Sequence, residues 1–514
     1  MCRNFFYFVV LLNTLASAAL LDVPNSNSKV SYDWTSALEQ VWQGILERNR
    51  DPWSTGLIHR PKSEYPGDAV SEGQGYGMMV ALYSGDQENF DSIWQASETY
   101  MWNGASLNWQ MDSLGHLLGS GAATDADQDV AAMLIFADSL VGAGIWDSSS
   151  LSSGVTYGER AQAMLNQIWS YMTMRYITGS DTQYHLMPGD GWGSYYCINP
   201  GYYTPAYYRI FADFDTNSTH YWLQLLDQGY TTLESNPGAA LGIGPDWSDG
   251  TGAVLSDGPG YNAFDDGHSM YKDGIRILWR TAIDAIWFGE DRAVDFLTKS
   301  MNFLDSLGGA SAANFYQLDG SLVCDTCHFV FDGGDLMRPR QEHSHLTIGM
   351  WATAAMAAGT DSQREALSEE MQKFYAEGNN FFGLATDDND EDTLHNEMYF
   401  DQFLAWFGTA LMAGVYGNVL YDIANPPPVA LQSSTKTSTG KLLVSARKGS
   451  VSFRWQGTSA GNVTLRIMDL HGREVQRVSM EKGSGLWSQA PSGMYVAQLQ
   501  NGSMSETRRF MVTR

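Results

Sequence analysis

Apolar residues recur at helical spacing again and again across most of this chain, and that pattern restricts the fold more than any other feature. Between Ala37 and Leu46 the pairs Ala37/Leu38, Val41/Trp42 and Ile45/Leu46 return every four residues, one stripe of an amphipathic helix. Leu367, Met371 and Phe374 repeat the stripe, with Asp361 or Ser362 as the cap. Similar runs lie near 71–83, 87–99, 126–141, 157–174, 203–212, 219–234, 273–288, 291–304, 343–357 and 398–415. The spacing predicts about twelve helices over about 380 residues, joined by loops rich in Gly, Asp and Ser. A bundle of a few helices does not account for that number. An array of helical hairpins does, as a solenoid or as a closed ring, and the lack of a fixed sequence period disfavours the solenoid.

The pattern stops after Tyr421. Asn425-Pro426-Pro427-Pro428 and the Ser/Thr run 433–439 read as an extended linker over 425–440. Leu442-Leu443-Val444, Val451-Ser452-Phe453-Arg454-Trp455 and Val463-Thr464-Leu465-Arg466-Ile467 then alternate like strands, so 441–514 is expected to form a small β-sandwich. That segment carries 11 Lys/Arg against 4 Asp/Glu, whereas the whole chain has 30 against 58 and a net charge of -28. The split marks a separate module with its own partner. The acidic remainder excludes a nucleic-acid partner, because a phosphate backbone would be repelled. The 17 Trp and 26 Tyr suit either a core or stacking against sugar faces.

At the start, Arg3, the apolar run Phe5 to Leu15 and Ala16-Ser17-Ala18 read as a signal peptide over 1–18, which predicts export and a mature chain from about Ala19. No other stretch is long and apolar enough to span a bilayer. The expected organisation is therefore a helical domain over 19–424, the linker, and the β module. Cysteines are scarce: Cys2, Cys197, Cys324 and Cys327. Cys324-Asp325-Thr326-Cys327 fits a small disulfide loop in an oxidising compartment. With no second CxxC, zinc is disfavoured even though His328 follows. No cofactor and no metal is expected.

Three acidic segments stand out. In Ser71-Glu72-Gly73-Gln74-Gly75-Tyr76-Gly77 a lone carboxylate opens a helix among three glycines. Each glycine costs a helix about 1 kcal/mol relative to Ala, so close approach of a ligand or another helix is implied. Glu72 is either a first-turn residue favoured by the helix dipole or a poorly solvated acid holding a proton at neutral pH. In Thr124-Asp125-Ala126-Asp127-Gln128-Asp129, three carboxylates exceed what a cap needs and suit sugar hydroxyls or a cation. In Lys272-Asp273-Gly274-Ile275-Arg276, Asp273 and Arg276 are three apart: a surface ion pair, or a carboxylate aimed by its arginine to deprotonate water. Trp109 and Trp192 lie in polar or Gly-rich loops, where an indole has little core to join.

Taken together, SEGQGYGMM, GAATDADQDVAAMLIFA, PGDGWG with NPGYYTPAYYRIFA, and DGIRILWRTAIDAIWFG, in this order and spacing, resemble glycoside hydrolase family 8, in particular its secreted endo-β-1,4-glucanase branch. The resemblance covers about residues 33–417. It implies an (α/α)6 barrel of six inner and six outer helices, in line with the helix count above, and a cleft across one end. It implies Glu72 as general acid, Asp273 as general base, Asp125 as the aspartate binding the sugar at the cleavage point, and Arg276 as the arginine beside the base. Trp109 and Trp192 match its stacking positions in the cleft, and Glu397-Met398-Tyr399-Phe400-Asp401 carries Tyr399 over as another cleft residue; Tyr203, in the aromatic run after Asn199-Pro200, is a further substrate-binding candidate. The family commonly has Tyr just before the base, where this chain has Lys272 and places Tyr271 one residue earlier.

The implied activity is inverting hydrolysis of internal β-1,4 bonds in cellulose-type or mixed-linkage β-glucan by an extracellular enzyme. Within the family the alternatives are a xylanase or a chitosanase. Outside it they are a non-catalytic glycan-binding protein, and a metal-dependent helical-barrel enzyme using the Asp125–Asp129 cluster. The acidic run 387–392 reads as a solvated loop, since it lacks the glycine and distal Glu of a calcium loop. The tail, with Leu465-Arg466-Ile467-Met468-Asp469 and Ser492-Gly493-Met494-Tyr495, resembles C-terminal sorting modules of bacterial exported enzymes, and implies contact with secretion machinery or the cell surface. A carbohydrate-binding role, resting on Trp455 and Trp487, is its rival.

Overall fold

The computed structural model describes residues 30–60, 67–148, 154–255, 269–323, 328–329, 338–339, 343–376, 378–383 and 399–424, and most of the strands between 440 and 512. The segment expected to be a signal peptide, residues 425–439 of the expected linker, Cys324-Asp325-Thr326-Cys327 and the acidic run 387–392 lie outside the described residues, and Gly440, placed in the linker from the sequence, instead opens a strand. Thirteen α-helices occur among the described residues: α1 Thr35–Asn49, α2 Ser71–Tyr83, α3 Gln87–Tyr100, α4 Thr124–Gly142, α5 Tyr157–Gln167, α6 Pro205–Phe214, α7 Trp222–Ser235, α8 Arg276–Phe288, α9 Asp291–Ser306, α10 His345–Ala358, α11 Asp361–Gln372, α12 Tyr399–Ala413 and α13 Val419–Ala424.

Alternate helices close a ring. The order α2, α4, α6, α8, α10, α12 and back to α2 is continuous in contacts. Outside it, α3 packs on α2, α5 on α4, α7 on α6, α9 on α8, α11 on α10, and α1 on α12. This is the six-inner, six-outer arrangement that the family resemblance implied, and the closed ring rather than the solenoid that periodicity left open. The two shells differ in composition for a physical reason. A helix touched on every side has no solvent face, and α2, α4, α10 and α12 are accordingly buried almost around their whole circumference. Outer helices such as α3 and α9 bury a single stripe.

Packing this tight requires small residues. A side chain on Gly408 of α12 would collide with the carbonyl of Gly349 on α10, and one on Gly349 would come within 2.9 Å of the Ala405 backbone. The glycines after Glu72 have the same cause: a side chain at Gly75 would lie 3.1 Å from Asp129 on α4. Approach of a neighbouring helix, one of the two reasons anticipated for those glycines, therefore accounts for Gly75.

One predicted helix is cut short. The run expected over 157–174 is α-helical only to Gln167, continues as one π turn over Ile168–Met172, and becomes a hairpin of Thr173–Thr178 and Asp181–Leu186. The β-branched and aromatic residues of Thr173-Met174-Arg175-Tyr176-Ile177-Thr178 and the turn at Gly179, with φ 65°, favour the strand where helical spacing persists by coincidence. The C-terminal segment forms two antiparallel sheets, one of three strands and one of four. Residues of both, among them Phe453, Ile467, Met480, Trp487 and Leu499, share an apolar cluster separate from the helical core. Trp455 and Trp487 are buried in that cluster, which removes them as an exposed sugar platform.

Gly408→Ala should lower the thermal midpoint, since overpacking of a close helix contact costs about 1–3 kcal/mol. An unchanged midpoint in calorimetry would contradict the α10–α12 packing.

Candidate active site

Hairpin repetition makes every inner helix run the same way, so the inner N-termini gather on one rim. Glu72 is in the first turn of α2, Asp125 in the first turn of α4, Asp273 just before α8 and Tyr399 at the start of α12. Helix starts carry partial positive charge and leave N–H groups free, a setting that tolerates a cluster of acids.

Arg276, the first residue of α8, ties the cluster together. Its Nη1 donates to Glu72 Oε1 at 2.7 Å and to Asp125 Oδ2 at 2.9 Å, and its Nη2 donates to Asp273 Oδ1. The guanidinium is almost fully buried and lies against the rings of Tyr202 and Phe400, 5.0 and 5.8 Å from their centroids. Asp125 is 4% exposed, whereas Glu72 and Asp273 keep 17% and 25% of their side-chain surface, so the latter two remain open to a ligand. The surface ion pair entertained for Asp273 and Arg276 is thus replaced by a buried four-residue cluster.

One arginine facing three carboxylates leaves an excess of negative charge in a poorly solvated place, which favours retention of a proton. Glu72 is where it resides. Burial pushes its pKa up to about 7, against the nearby Arg276 and with Asp125 adding to the rise. Its carboxylate also accepts from Tyr76 at 2.9 Å and from Tyr399. Burial raises Asp273 above the ordinary aspartate range as well, with Arg276 opposing.

The three carboxylates of α4 do not converge. Asp125 faces Arg276; Asp127 accepts from Leu107 N at 3.1 Å; Asp129 forms a two-pronged ion pair with Arg280, 2.7 Å on its Nη2 side. Positions 125 and 129 share a face and 127 points away, as helix geometry requires. Two of the three are committed to arginines and the third to backbone, and no group of three metal-ligating side chains occurs among the described residues. The shared cation site considered for this run loses its ligands.

Trp109 and Trp192 are 39% and 40% exposed, in keeping with ring faces open to solvent. Trp109 O accepts from Ser71 N at 3.0 Å, next to Glu72. Trp192 packs 5.9 Å from Trp247. Tyr203 is not with them: it is buried, its hydroxyl accepts from Leu186 N at 3.0 Å, and its ring lies against Gly229 of α7. Its neighbour Tyr202 takes the place beside the arginine, because Gln128 Nε2 holds the Tyr202 carbonyl at 3.0 Å and turns that ring inward. In a Tyr-Tyr pair ahead of a helix, sequence carries no signal for which ring faces in.

Three contributors escaped the sequence reading. Tyr76 lies one turn below Glu72, so the i, i+4 relation was available. Phe400 follows Tyr399 and flanks Arg276. Asp246, buried in a Gly-rich loop, accepts from Tyr271 N and Gly274 N, both at 2.7 Å, and so fixes the turn that presents Asp273. Lys272 directs its ammonium toward the Phe400 ring, 5.7 Å from the centroid.

The family model described as glycosyl hydrolases family 8 matches residues 54–328, more than half of the chain. Endoglucanase 2 of Ruminiclostridium josui is 35% identical over 259 residues, covering 50% of this chain and 51% of that protein. Endoglucanase C of Ruminiclostridium cellulolyticum is 30% identical over 320 residues, 62% and 61% of the two chains. Endoglucanase A of Acetivibrio thermocellus is 34% identical over 278 residues, 52% of each. The chain thus spans between about half and three fifths of the length of these relatives. Among solved structures, Rex8A from Paenibacillus barcinonensis complexed with xylose matches with a TM-score of 0.54 at 18% identity, over 77% of this chain and 98% of that one. A GH8 xylobiose complex from Teredinibacter turnerae matches with 0.53 at 17%, over 74% and 94%. Acids gathered on the rim of a closed helical ring, and a family model that spans all four residues of the Arg276 cluster, lead to one assignment: the chain belongs to glycosyl hydrolases family 8.

Proposed function

We propose that this protein is an exported, inverting endo-β-1,4-glucanase acting on cellulose-type or mixed-linkage β-glucan. The observation that carries the chemistry is the pair of partly open acids, Glu72 and Asp273, held by different nitrogens of one buried guanidinium. Glu72 is the general acid. With its pKa pushed up to about 7 it holds its proton in weakly acidic solution and in a sizeable fraction of molecules at neutrality, and delivers it to the glycosidic oxygen. Asp273 is the general base, drawing a proton from a water that attacks the opposite face of the sugar. An inverting site leaves room for that water, with carboxyls about 6.5–9.5 Å apart when substrate is bound. Asp125 holds the sugar at the cleavage point, and Arg276 orients all three carboxylates. Trp109 and Trp192 stack sugar rings, with Tyr399 and Tyr202 lining the centre.

Glucan is favoured over xylan because the relatives at 30–35% identity are named endoglucanases, whereas the xylose-releasing relatives match at 24%. A panel of carboxymethylcellulose, lichenan, xylan and chitosan tests that preference. The N-terminal segment supports export, and the basic C-terminal module is assigned to secretion machinery or the cell surface. Retention of the catalytic domain's activity with loss of export after deletion of 425–514 is the expected result.

Glu72→Gln should reduce turnover of carboxymethylcellulose by about 100-fold or more while leaving binding intact. Full activity would remove Glu72 as the acid. Asp273→Asn should do the same, and proton NMR of fresh product from the parent enzyme should show the α-anomer; a β-anomer at first appearance would exclude inversion.

The pH profile follows from the same two groups. Glu72 acts protonated, so kcat/KM falls as pH rises through about 7. Asp273 acts ionised and its pKa is raised, so the acidic limb lies above the ordinary aspartate value of about 3.9. A profile flat from pH 6 to 9 would contradict the assignment of Glu72.

A further inference from the structure

The rim cluster is repeated one helical turn deeper. Beneath Glu72 on α2 is Tyr76, beneath Asp125 on α4 is Asp129, and beneath Arg276 on α8 is Arg280. In the upper layer Arg276 binds Asp125; in the lower layer Arg280 binds Asp129 through both guanidinium prongs. Asp129 is fully buried and Arg280 nearly so. The lower pair is boxed in. Arg280 lies 3.9 Å from the Trp279 ring centroid and 5.9 Å from that of Tyr207, and Gly75 lets α2 close against Asp129. Tyr76 connects the layers: its hydroxyl donates to Glu72 and lies 3.4 Å from Arg276 Nη1.

A buried ion pair is a poor source of stability, because desolvating two charges consumes most of their attraction and well-packed apolar residues serve as well. Its geometry is another matter. A two-pronged Arg–carboxylate contact fixes distance, plane and rotation between the helices that carry it. Here those helices are α4 and α8, the two that bring Asp125, Asp273 and Arg276 together.

We propose that Asp129 and Arg280 are positioning residues for the reaction, their ion pair locking α4 to α8 so that Arg276 is held in register with Glu72, Asp125 and Asp273. The proposal rests on the hydrolase reading of the rim cluster but not on which polymer is cleaved. Neither residue touches the rim acids directly. They act through Arg276 and Tyr76. The charged or titratable groups facing Glu72 are Arg276 from α8, Asp125 from α4, Tyr399 from α12, Tyr202 from the loop before α6 and Tyr76 from its own helix. Asp129 and Arg280 form the layer below them, and together they are electrically neutral.

Asp129→Asn keeps the shape of the side chain and leaves Arg280 with an unbalanced positive charge beneath the site. The expected result on carboxymethylcellulose is a fall in kcat of about tenfold or more with KM little changed, as for an interaction felt mainly in the transition state. The alkaline limb of kcat/KM should also move to lower pH, because added positive charge favours ionised Glu72. A pair with only a structural role would lower the thermal midpoint and leave both kcat and the limb in place, and that result overturns the proposal. Asp129→Asn has a second variant beside it in case it does not fold: Asp129→Leu combined with Arg280→Met replaces the pair by apolar residues of similar volume. Parental kcat in that folded double variant overturns the proposal; a reduced kcat at parental KM supports it. If the parent enzyme cleaves xylan or chitosan instead, the glucan reading fails while the same measurements on that polymer still test the positioning role.

Discussion

A single guanidinium organises the acidic rim. Arg276 is buried, lies against two aromatic rings, and is bonded to three carboxylates from three segments of chain. Without it the acids would repel one another, since three like charges so placed cannot all ionise. With it, the excess charge is small enough that one proton suffices, and burial directs that proton to Glu72. The difference between the two exposed acids thus originates in unequal surroundings on either side of one cation rather than in any property of glutamate or aspartate.

The ring makes that arrangement available. Because consecutive helices alternate between inner and outer shells, inner helices point the same way and their first turns face one another across the ring. The loops that lead into them are held by buried polar side chains. Gln74 bonds the backbone of Ile58 and Val70, Gln128 holds Tyr202, and Gln402 bonds both the N–H and the carbonyl of Phe382. Each satisfies backbone groups that would otherwise be buried without partners, and each does so from an inner helix.

Much of this was legible in the sequence. Helical periodicity located the elements because a packed helix must repeat its apolar contacts at 3.6 residues, and it located eleven of the outer and inner helices to within a few residues. It failed at 168–174, where a π turn and the first strand of a hairpin follow a helix without a break in the apolar spacing. The site was legible where chemistry leaves a local mark: Glu72 among glycines, three aspartates in five residues, Asp273 three before Arg276. It was illegible where the third dimension decides. Nothing local separates Tyr202, facing the arginine, from Tyr203, facing α7. Asp125, Asp127 and Asp129 look alike in sequence and receive three different partners. Asp246 acts from 27 positions before Asp273 through two backbone hydrogens, a relation with no sequence pattern.

Closure of the ring also depends on contacts between segments far apart in the chain. Helix α1 is sealed by Trp34 Nε1 on Ser368, 334 positions away, and by Trp406 Nε1 on Leu38, 368 positions away. Until the last inner helix arrives, the first ones present bare apolar flanks with no neighbour to cover them. Contacts so distant along the chain are slow to form, and the intermediates that await them are prone to aggregate. A chain of this design is therefore most vulnerable while incomplete, and the hairpins made early gain their full protection only when its two ends meet.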